Sequence, residues 1–354
     1  MPRLTQYCFY CKFNLGLNAI LIYSRQQSTM ANAIRIHEYG GPEVLRYESV
    51  EVGQPGASEV RLRQTAVGLN FIDIYHRTGL YPLPQLPGTI GLEAAGVVES
   101  VGADVTELKV GDRVAYAGGP IGAYATERLM PAERLIKIPD SITDVEAASM
   151  MLQGMTAQYL IRQIYPVKAG ETILLQAAAG GVGLILCQWA HSLGVTVIGT
   201  VGSEEKAELA RQHGCTHTIL YQHEKVSERV RELTDGKGVP VVFDSIGQTT
   251  FMDSLDCLQA RGLMVSYGNA SGAVEAVAPA ILAQKGSLFL TRPILMHYTA
   301  SREELVNTAN DLIDVVSSGA VKLNVNQQYP LADAAQAQTD LENRKTTGST
   351  VLIP

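Results

Sequence analysis

The sequence predicts an α/β protein: a doubly wound parallel sheet carried by a second, β-rich part. Three observations predict it. Glu171 to Gly183 reads as a buried strand running into a glycine-rich turn, and Val182 to Leu193 continues as a helix. After Pro139, short apolar runs alternate with amphipathic stretches, the pattern of βα units around a parallel sheet. From Ala33 to Val114 the short apolar runs are instead punctuated by turns such as Gly53-Gln-Pro-Gly56 and Leu86-Pro-Gly88, which marks a β-rich part.

In chain order, residues 1–29 stand apart. Phe13 to Tyr23 is apolar but too short to span a bilayer, Arg3 and Lys12 precede it, and no small-residue cleavage site follows. An unstructured leader added by an upstream start is expected, and a targeting segment is the alternative. Cys8 and Cys11 have the C-x-x-C spacing without a second pair, so the motif is taken as incidental. Glu59–Arg63 alternates with period two, Gly96–Val101 is a second strand, and Lys109–Val114 is a turn entering a strand. Val145–Tyr165 reads as helical. Strands are then expected at 196–201, 216–220, 239–243, 262–267 and 287–290, with helices at 206–212, 224–233 and 302–318. Gly348 to Pro354 reads as a strand returning to the first part.

The 354 residues suffice for two domains, and the 46% hydrophobic and 18% charged content is that of an ordinary globular protein. A net charge of −7 argues against nucleic-acid binding by bulk electrostatics. No run approaches the length of a membrane span. Cys187, Cys215 and Cys257 are scattered and suggest no disulfide framework, which fits a reducing compartment and a cytoplasmic location.

The glycine-rich turn carries the chemistry. Gly180 lets the backbone approach a pyrophosphate, Gly183 lets the helix pack close to the strand, and the helix start attracts phosphate. Ala178 stands where the first glycine of G-x-G-x-x-G belongs, so a plain strand–turn–helix is the alternative. The next strand decides the cofactor. It ends at Gly202-Ser203, without the acid that binds a ribose 2′-OH, while Lys206 and Tyr221 can meet a 2′-phosphate. This reads as NADPH. The rival reading takes Glu204 or Glu205 as an NAD-binding acid; we read them as first-turn acids behind an N-cap at Ser203. Asp244–Gly247 and Gly268–Ser271 follow later strands and are expected to line the same cleft, with plain turns as the alternative.

Further motifs carry a resemblance. Gly40-Gly-Pro-Glu-Val-Leu45, Asn70-Phe-Ile-Asp73, Gly79-Leu-Tyr81, Gly111-Asp-Arg-Val114, Ala177 to Gly183, Phe243 to Gly247 and Arg261 to Val265 resemble the zinc-free quinone oxidoreductase (zeta-crystallin-like) branch of the medium-chain dehydrogenase/reductase superfamily. The bacterial NADPH:quinone oxidoreductases are especially similar. The resemblance runs from Ala31 to Pro354; His191 departs from the family pattern, on the outer part of its helix. It implies a Rossmann domain (155–295) inserted in a GroES-like catalytic domain (30–154 plus 296–354), and a homodimer. It also implies contacts to NADPH. Phe71, Ile72 and Asp73 would lie near the nicotinamide. Tyr159, Gly181 and Val182 would meet the pyrophosphate. Gly202, Ser203, Lys206 and Tyr221 would hold the 2′-phosphate. Ile246, Gly268, Asn269, Ala270, Ser271, Pro293, Leu295 and Arg344 would complete the site.

The same resemblance locates missing zinc ligands. Zinc alcohol dehydrogenases carry Cys at the place of Asn70 and Gly-His-Glu at Gly91-Leu92-Glu93, and their structural-zinc lobe has no counterpart between Tyr116 and Pro131. Leu92 cannot bind a metal and Asn70 is a poor zinc ligand, so no metal is expected. A polarised acceptor such as a quinone or another conjugated carbonyl suits such a site. Asn70, Tyr75 and Tyr81 are the candidate donors to its oxygen, with plain aromatic packing as the alternative for the tyrosines. An enone or alkenal reductase on the same scaffold is the alternative function. A non-catalytic role, structural or AU-rich-RNA-binding, is a second; no basic stripe interleaved with aromatics supports RNA binding.

Overall fold

A computed structural model describes residues 29–354. Of the expected leader, 1–29, residues 1–28 with the pair Cys8 and Cys11 lie outside the described residues, while Thr29 belongs to the first strand, opposite Val52. The first strand, Thr29–Ile36, starts earlier than the pattern at Ala33 predicts, because it pairs along its length with Arg46–Val52.

The parallel sheet is present with six strands. In space they run His217–Leu220, Thr196–Val201, Thr172–Leu175, Val239–Asp244, Leu258–Ser266 and Phe289–Thr291, all parallel. In chain order this is third, second, first, fourth, fifth, sixth. The order reverses beside Thr172–Leu175, which opens a crevice at the carboxyl ends of the strands. The central strands are continuously apolar: Ile173, Leu174, Leu175, Val241, Val242 and Phe243 are fully buried. Both faces of the sheet are therefore covered, as parallel sheets require. Each such side chain contributes about 1.5–3 kcal/mol of burial free energy.

A seven-stranded sheet draws its strands from residues 59–137 and 325–353, so both flanks of the parallel sheet in the sequence build it. The terminal strand Ser349–Ile353 pairs antiparallel with Glu59–Leu69, the return predicted for the tail.

The helix Asp144–Gln158 joins the two sheets. Thr143 caps it reciprocally with Glu146. Positions 154 and 155, the expected domain boundary, lie inside this helix. Gly154 lets the helix Arg302–Ser317 come close: a Cβ there would meet Leu312 at 2.4 Å. The predicted helical run to Tyr165 is right in extent but changes character. Tyr159–Ile164 is a π-helical turn, and the Tyr165 N–H reaches back to the Leu160 carbonyl at 3.1 Å. Such wide turns arise where a helix accommodates an extra residue, often beside a functional site.

Candidate active site

The crevice is a cavity of about 1030 Å³ between the two sheets. The glycine turn forms its floor. The helix Gly181–Ser192 begins with no side-chain cap, so its first N–H groups are left for a ligand. A Cβ on Gly183 would lie 2.4 Å from the Ala177 carbonyl oxygen and 2.6 Å from that of Ala178, so the close packing expected of this glycine is real. A Cβ on Gly180 would meet only the Ala177 oxygen, at 3.3 Å, and would otherwise stand in open space on the cavity wall. The floor is thus bare backbone where a pyrophosphate must approach. The left-handed residue of the turn is Ala177 (φ 59°), one position before the place that the glycine pattern marks. Thr200 braces it, accepting the Ala177 N–H on Oγ1 and the Ala178 N–H on its carbonyl.

At one end the cavity is cationic. Gly202, Lys206, Tyr221 and Arg344 line it together. A Cβ on Gly202 would sit 2.6 Å from the Tyr221 hydroxyl, so this glycine makes room for that phenol. Lys206 Nζ donates to the Arg344 carbonyl at 2.8 Å, and burial, then the Arg344 charge, pulls its ammonium pKa down. Ser203 caps the helix Glu204–Gln212 by accepting the Lys206 N–H at 3.3 Å, as expected. Glu204 turns away to Arg211 at 2.7 Å, and neither Glu204 nor Glu205 lines the cavity. Glu224 also lines this end, but its carboxylate accepts the Leu220 N–H at 3.0 Å and pairs with Arg229 at 3.6 Å. Two cations and a phenol fit a 2′-phosphate and so NADPH.

At the other end lie the acceptor candidates. Asn269 holds both tyrosines: its N–H donates to the Tyr75 hydroxyl and its Nδ2 to the Tyr81 hydroxyl, each at 3.0 Å. Arg292 donates to the same Tyr81 oxygen at 3.0 Å. With its oxygen receiving two N–H groups, Tyr81 keeps its own proton to donate. Burial pushes the Tyr75 phenol up to about 12. Asn70 is held at both ends of its amide: Nδ2 donates to Glu93 at 2.7 Å, and Oδ1 accepts from Gln153 at 3.2 Å.

Most predicted site residues line this one cavity: Asn70, Phe71, Ile72, Tyr75, Tyr81, Tyr159, Gly181, Val182, Ile246, Gly268, Ala270, Pro293 and Leu295 join those already named. Tyr159 is buried against Tyr298, with the rings stacked 4.8 Å apart. Asp73, Ser203, Asn269 and Ser271 are not on its wall. Asp73 is completely buried and accepts the Asn70 N–H and the Tyr124 hydroxyl, because it stands three residues into the helix Phe71–Thr78 and caps it. Ser271, half-buried, ties Ile246 and Thr249 together, donating to the Ile246 carbonyl and accepting the Thr249 N–H. Sequence reasoning missed Arg292, His76, Gln153 and Tyr267. Arg292 was signalled by its place directly after the sixth strand, where ligands bind.

The place of the superfamily's catalytic zinc holds no suitable donor set. Leu92 is aliphatic, and Glu93, fully buried, accepts from Asn70 and from the Leu152 N–H at 2.8 Å. Both Glu93 oxygens are thus already engaged, and burial pushes its carboxyl up to about 8. Among the described residues no cluster of His, Cys, Asp and Glu could hold a metal.

Comparison with known proteins agrees with this geometry. The alcohol dehydrogenase GroES-like domain family matches residues 56–140, and the zinc-binding dehydrogenase family matches 181–312. The quinone oxidoreductase of Pseudomonas aeruginosa is 55% identical over 92% of this chain and all of its own. The chain belongs to the quinone oxidoreductase branch of the medium-chain dehydrogenase/reductase superfamily. Within the branch, a crystal structure of Escherichia coli quinone oxidoreductase complexed with NADPH superposes with a TM-score of 0.90 at 48% identity, covering 91% of this chain and 100% of that one. A Burkholderia 2-haloacrylate reductase is 50% identical over 92% of this chain and 99% of its own. The relatives of this chain thus include one named for reducing a 2-haloacrylate.

Proposed function

We propose that this protein is an NADPH-dependent, zinc-independent quinone oxidoreductase. The observation that carries the reading is the pairing of a 2′-phosphate site at one end of the cleft with a polarised phenol, Tyr81, at the other.

Bound NADPH supplies the hydride. The protein's share is position and charge. The glycine turn and the open start of the helix Gly181–Ser192 hold the pyrophosphate, while Lys206, Arg344 and Tyr221 hold the 2′-phosphate. Phe71, Ile72 and Leu295 flank the nicotinamide and keep water from it. Tyr81, polarised by Arg292 and Asn269, donates to the acceptor oxygen as negative charge develops there. Asn70, fixed by Glu93 and Gln153, offers its remaining N–H to the same space. Domain limits at 30–154, 155–295 and 296–354 go with this reading.

Arg292 also favours a second reading, reduction of an enone that bears a carboxylate. Among the described residues no carboxylate pairs with its guanidinium, and an acrylate-type substrate would supply one.

A homodimer fits the sheet edge: Phe289–Thr291 is the last parallel strand, with Phe289 62% exposed and Leu290 39% exposed. A cytoplasmic location fits the free thiols of Cys187, Cys215 and Cys257. Among the described residues no helix is long and apolar enough to cross a membrane.

The test mixes purified protein with NADPH and 9,10-phenanthrenequinone and follows NADPH absorbance, with NADH and 2-cyclohexen-1-one in parallel. Quinone-dependent loss of NADPH is expected. Turnover confined to the enone would move the function to alkene reduction, and turnover with NADH alone would overturn the cofactor assignment.

A further inference from the structure

His76 is absorbed by none of the roles above, yet it faces the acceptor end of the cleft. It lies one helical turn after Ile72 on Phe71–Thr78 and lines the cavity at 5% exposure. Its ring meets the Tyr81 ring edge-on, with centroids 6.4 Å apart. Nδ1 is sealed inside the protein with no hydrogen-bond partner. Nε2 is not sealed, and no described residue bonds to it.

The protonation state follows from these contacts. Burial pushes the imidazole down to about 4, so the ring is neutral at physiological pH. A neutral imidazole has one N–H and one lone pair. A buried N–H without an acceptor is rarer than an unmet acceptor, so the lone pair falls on sealed Nδ1 and the proton on Nε2. The cleft wall therefore presents two neutral donors side by side, the Tyr81 O–H and the His76 Nε2–H.

We infer that His76 is an acceptor-binding residue whose Nε2–H serves the second oxygen of a two-oxygen acceptor while Tyr81 serves the first. This rests on the quinone reductase reading and sharpens it. In that reaction the quinone gains an electron pair with the hydride and one proton from water, and becomes a hydroquinone. NADPH is oxidised to NADP+. His76 keeps its proton, because a neutral imidazole is a hydrogen-bond donor and not an acid in this pH range. A simple enone has one oxygen and needs only Tyr81, so His76 discriminates between the two substrate classes.

The test compares wild type with His76→Phe, His76→Gln and His76→Asn on 9,10-phenanthrenequinone and 2-cyclohexen-1-one. The Gln amide reaches where Nε2 stood; the Asn amide reaches only as far as Nδ1. His76→Phe should lower kcat/KM for the quinone roughly tenfold, the worth of one hydrogen bond. His76→Gln should recover most of that loss and His76→Asn should not, with enone turnover and NADPH affinity unchanged. Equal losses on both acceptors, a Gln variant as slow as the Phe variant, or weakened NADPH binding would overturn the inference in favour of packing. Nitrogen NMR of the labelled protein at pH 7 gives a second reading: the proton should be on Nε2, and an imidazolium or a proton on Nδ1 would overturn it. If wild type reduces neither acceptor, the quinone reductase reading fails by itself. The quinone is then titrated into NADP+-loaded wild type and His76→Phe, and equal affinities overturn the His76 role.

Discussion

Lys206 and Arg344 meet across the cleft: the Lys206 ammonium donates at 2.8 Å to the Arg344 backbone carbonyl, although 138 residues separate them in the chain. The bond gathers two positive side chains at the point where the second strand of the parallel sheet ends. Two cations held this close repel each other, which is one cause of the lowered Lys206 pKa. A dianionic phosphate relieves that repulsion.

Removing one of these cations should therefore act on one cofactor only. Lys206→Ala is expected to raise the KM for NADPH by roughly tenfold to hundredfold, the worth of a charge-assisted hydrogen bond. The KM for NADH should move little. Steady-state kinetics with both cofactors checks this, and an equal rise for both would show that Lys206 does not read the 2′-phosphate.

Tyr81→Phe removes the phenol that Arg292 and Asn269 polarise while leaving the ring in place. A loss of roughly a hundredfold in kcat is expected, as for removing a donor to developing negative charge. NADPH binding, followed by fluorescence, should be unchanged. A kcat equal to that of wild type would return Tyr81 to a packing role.

The buried carboxyls give stability a pH dependence. Burial pushes Glu93 up to about 8 and Asp73 up to about 7, above the values near 4 of an unfolded chain. Between these limits the folded state binds more protons than the unfolded one, so stability falls as pH rises. The contribution is complete below pH 4 and is lost as pH passes through 7 and 8. The melting temperature should therefore drop between pH 5 and pH 8.5, and Glu93→Gln should flatten that drop. A Gln variant with the same slope as wild type would remove Glu93 from the effect.

Gly183→Ala would press a methyl group against the Ala177 and Ala178 carbonyls, both backbone atoms that cannot swing aside. Overpacking of this kind costs about 1–3 kcal/mol. Denaturant unfolding should register that loss together with weaker NADPH binding, because the helix start must shift away from the turn. Unchanged stability would mean that the helix can retreat without strain.

Much of this was legible locally. The strand, turn and helix from Thr172 to Ser192 follow from a continuous apolar run and three glycines, and the Ser203 cap follows from its place before Glu204 and Glu205. What could not be read depends on contacts distant in sequence. Arg77 is 1% exposed and buries its guanidinium against Gln338 and Glu342, which no local pattern announces. His76 looks like any helix residue until Tyr81 and the cavity wall surround it. Asp73 is the opposite case. The spacing Asn70-x-x-Asp73 is a capping signature, and the family resemblance drew attention to a ligand where local chemistry pointed to a helix start.

The glycine turn also touches a late part of the chain: Gly180 bridges to Gly348, and the Gly348 N–H reaches the Ala179 carbonyl at 3.3 Å. Synthesis runs from the amino end, so every strand of the parallel sheet has left the ribosome before Arg344 and Gly348 exist. A nascent chain can fold that sheet but cannot close its binding cleft. Cofactor is therefore unable to rescue an incomplete polypeptide: a stop codon just before Arg344 removes the late wall of the cleft together with the strand Ser349–Ile353, which pairs with both Val325–Pro330 and Glu59–Leu69, so the product should neither bind NADPH nor complete the seven-stranded sheet.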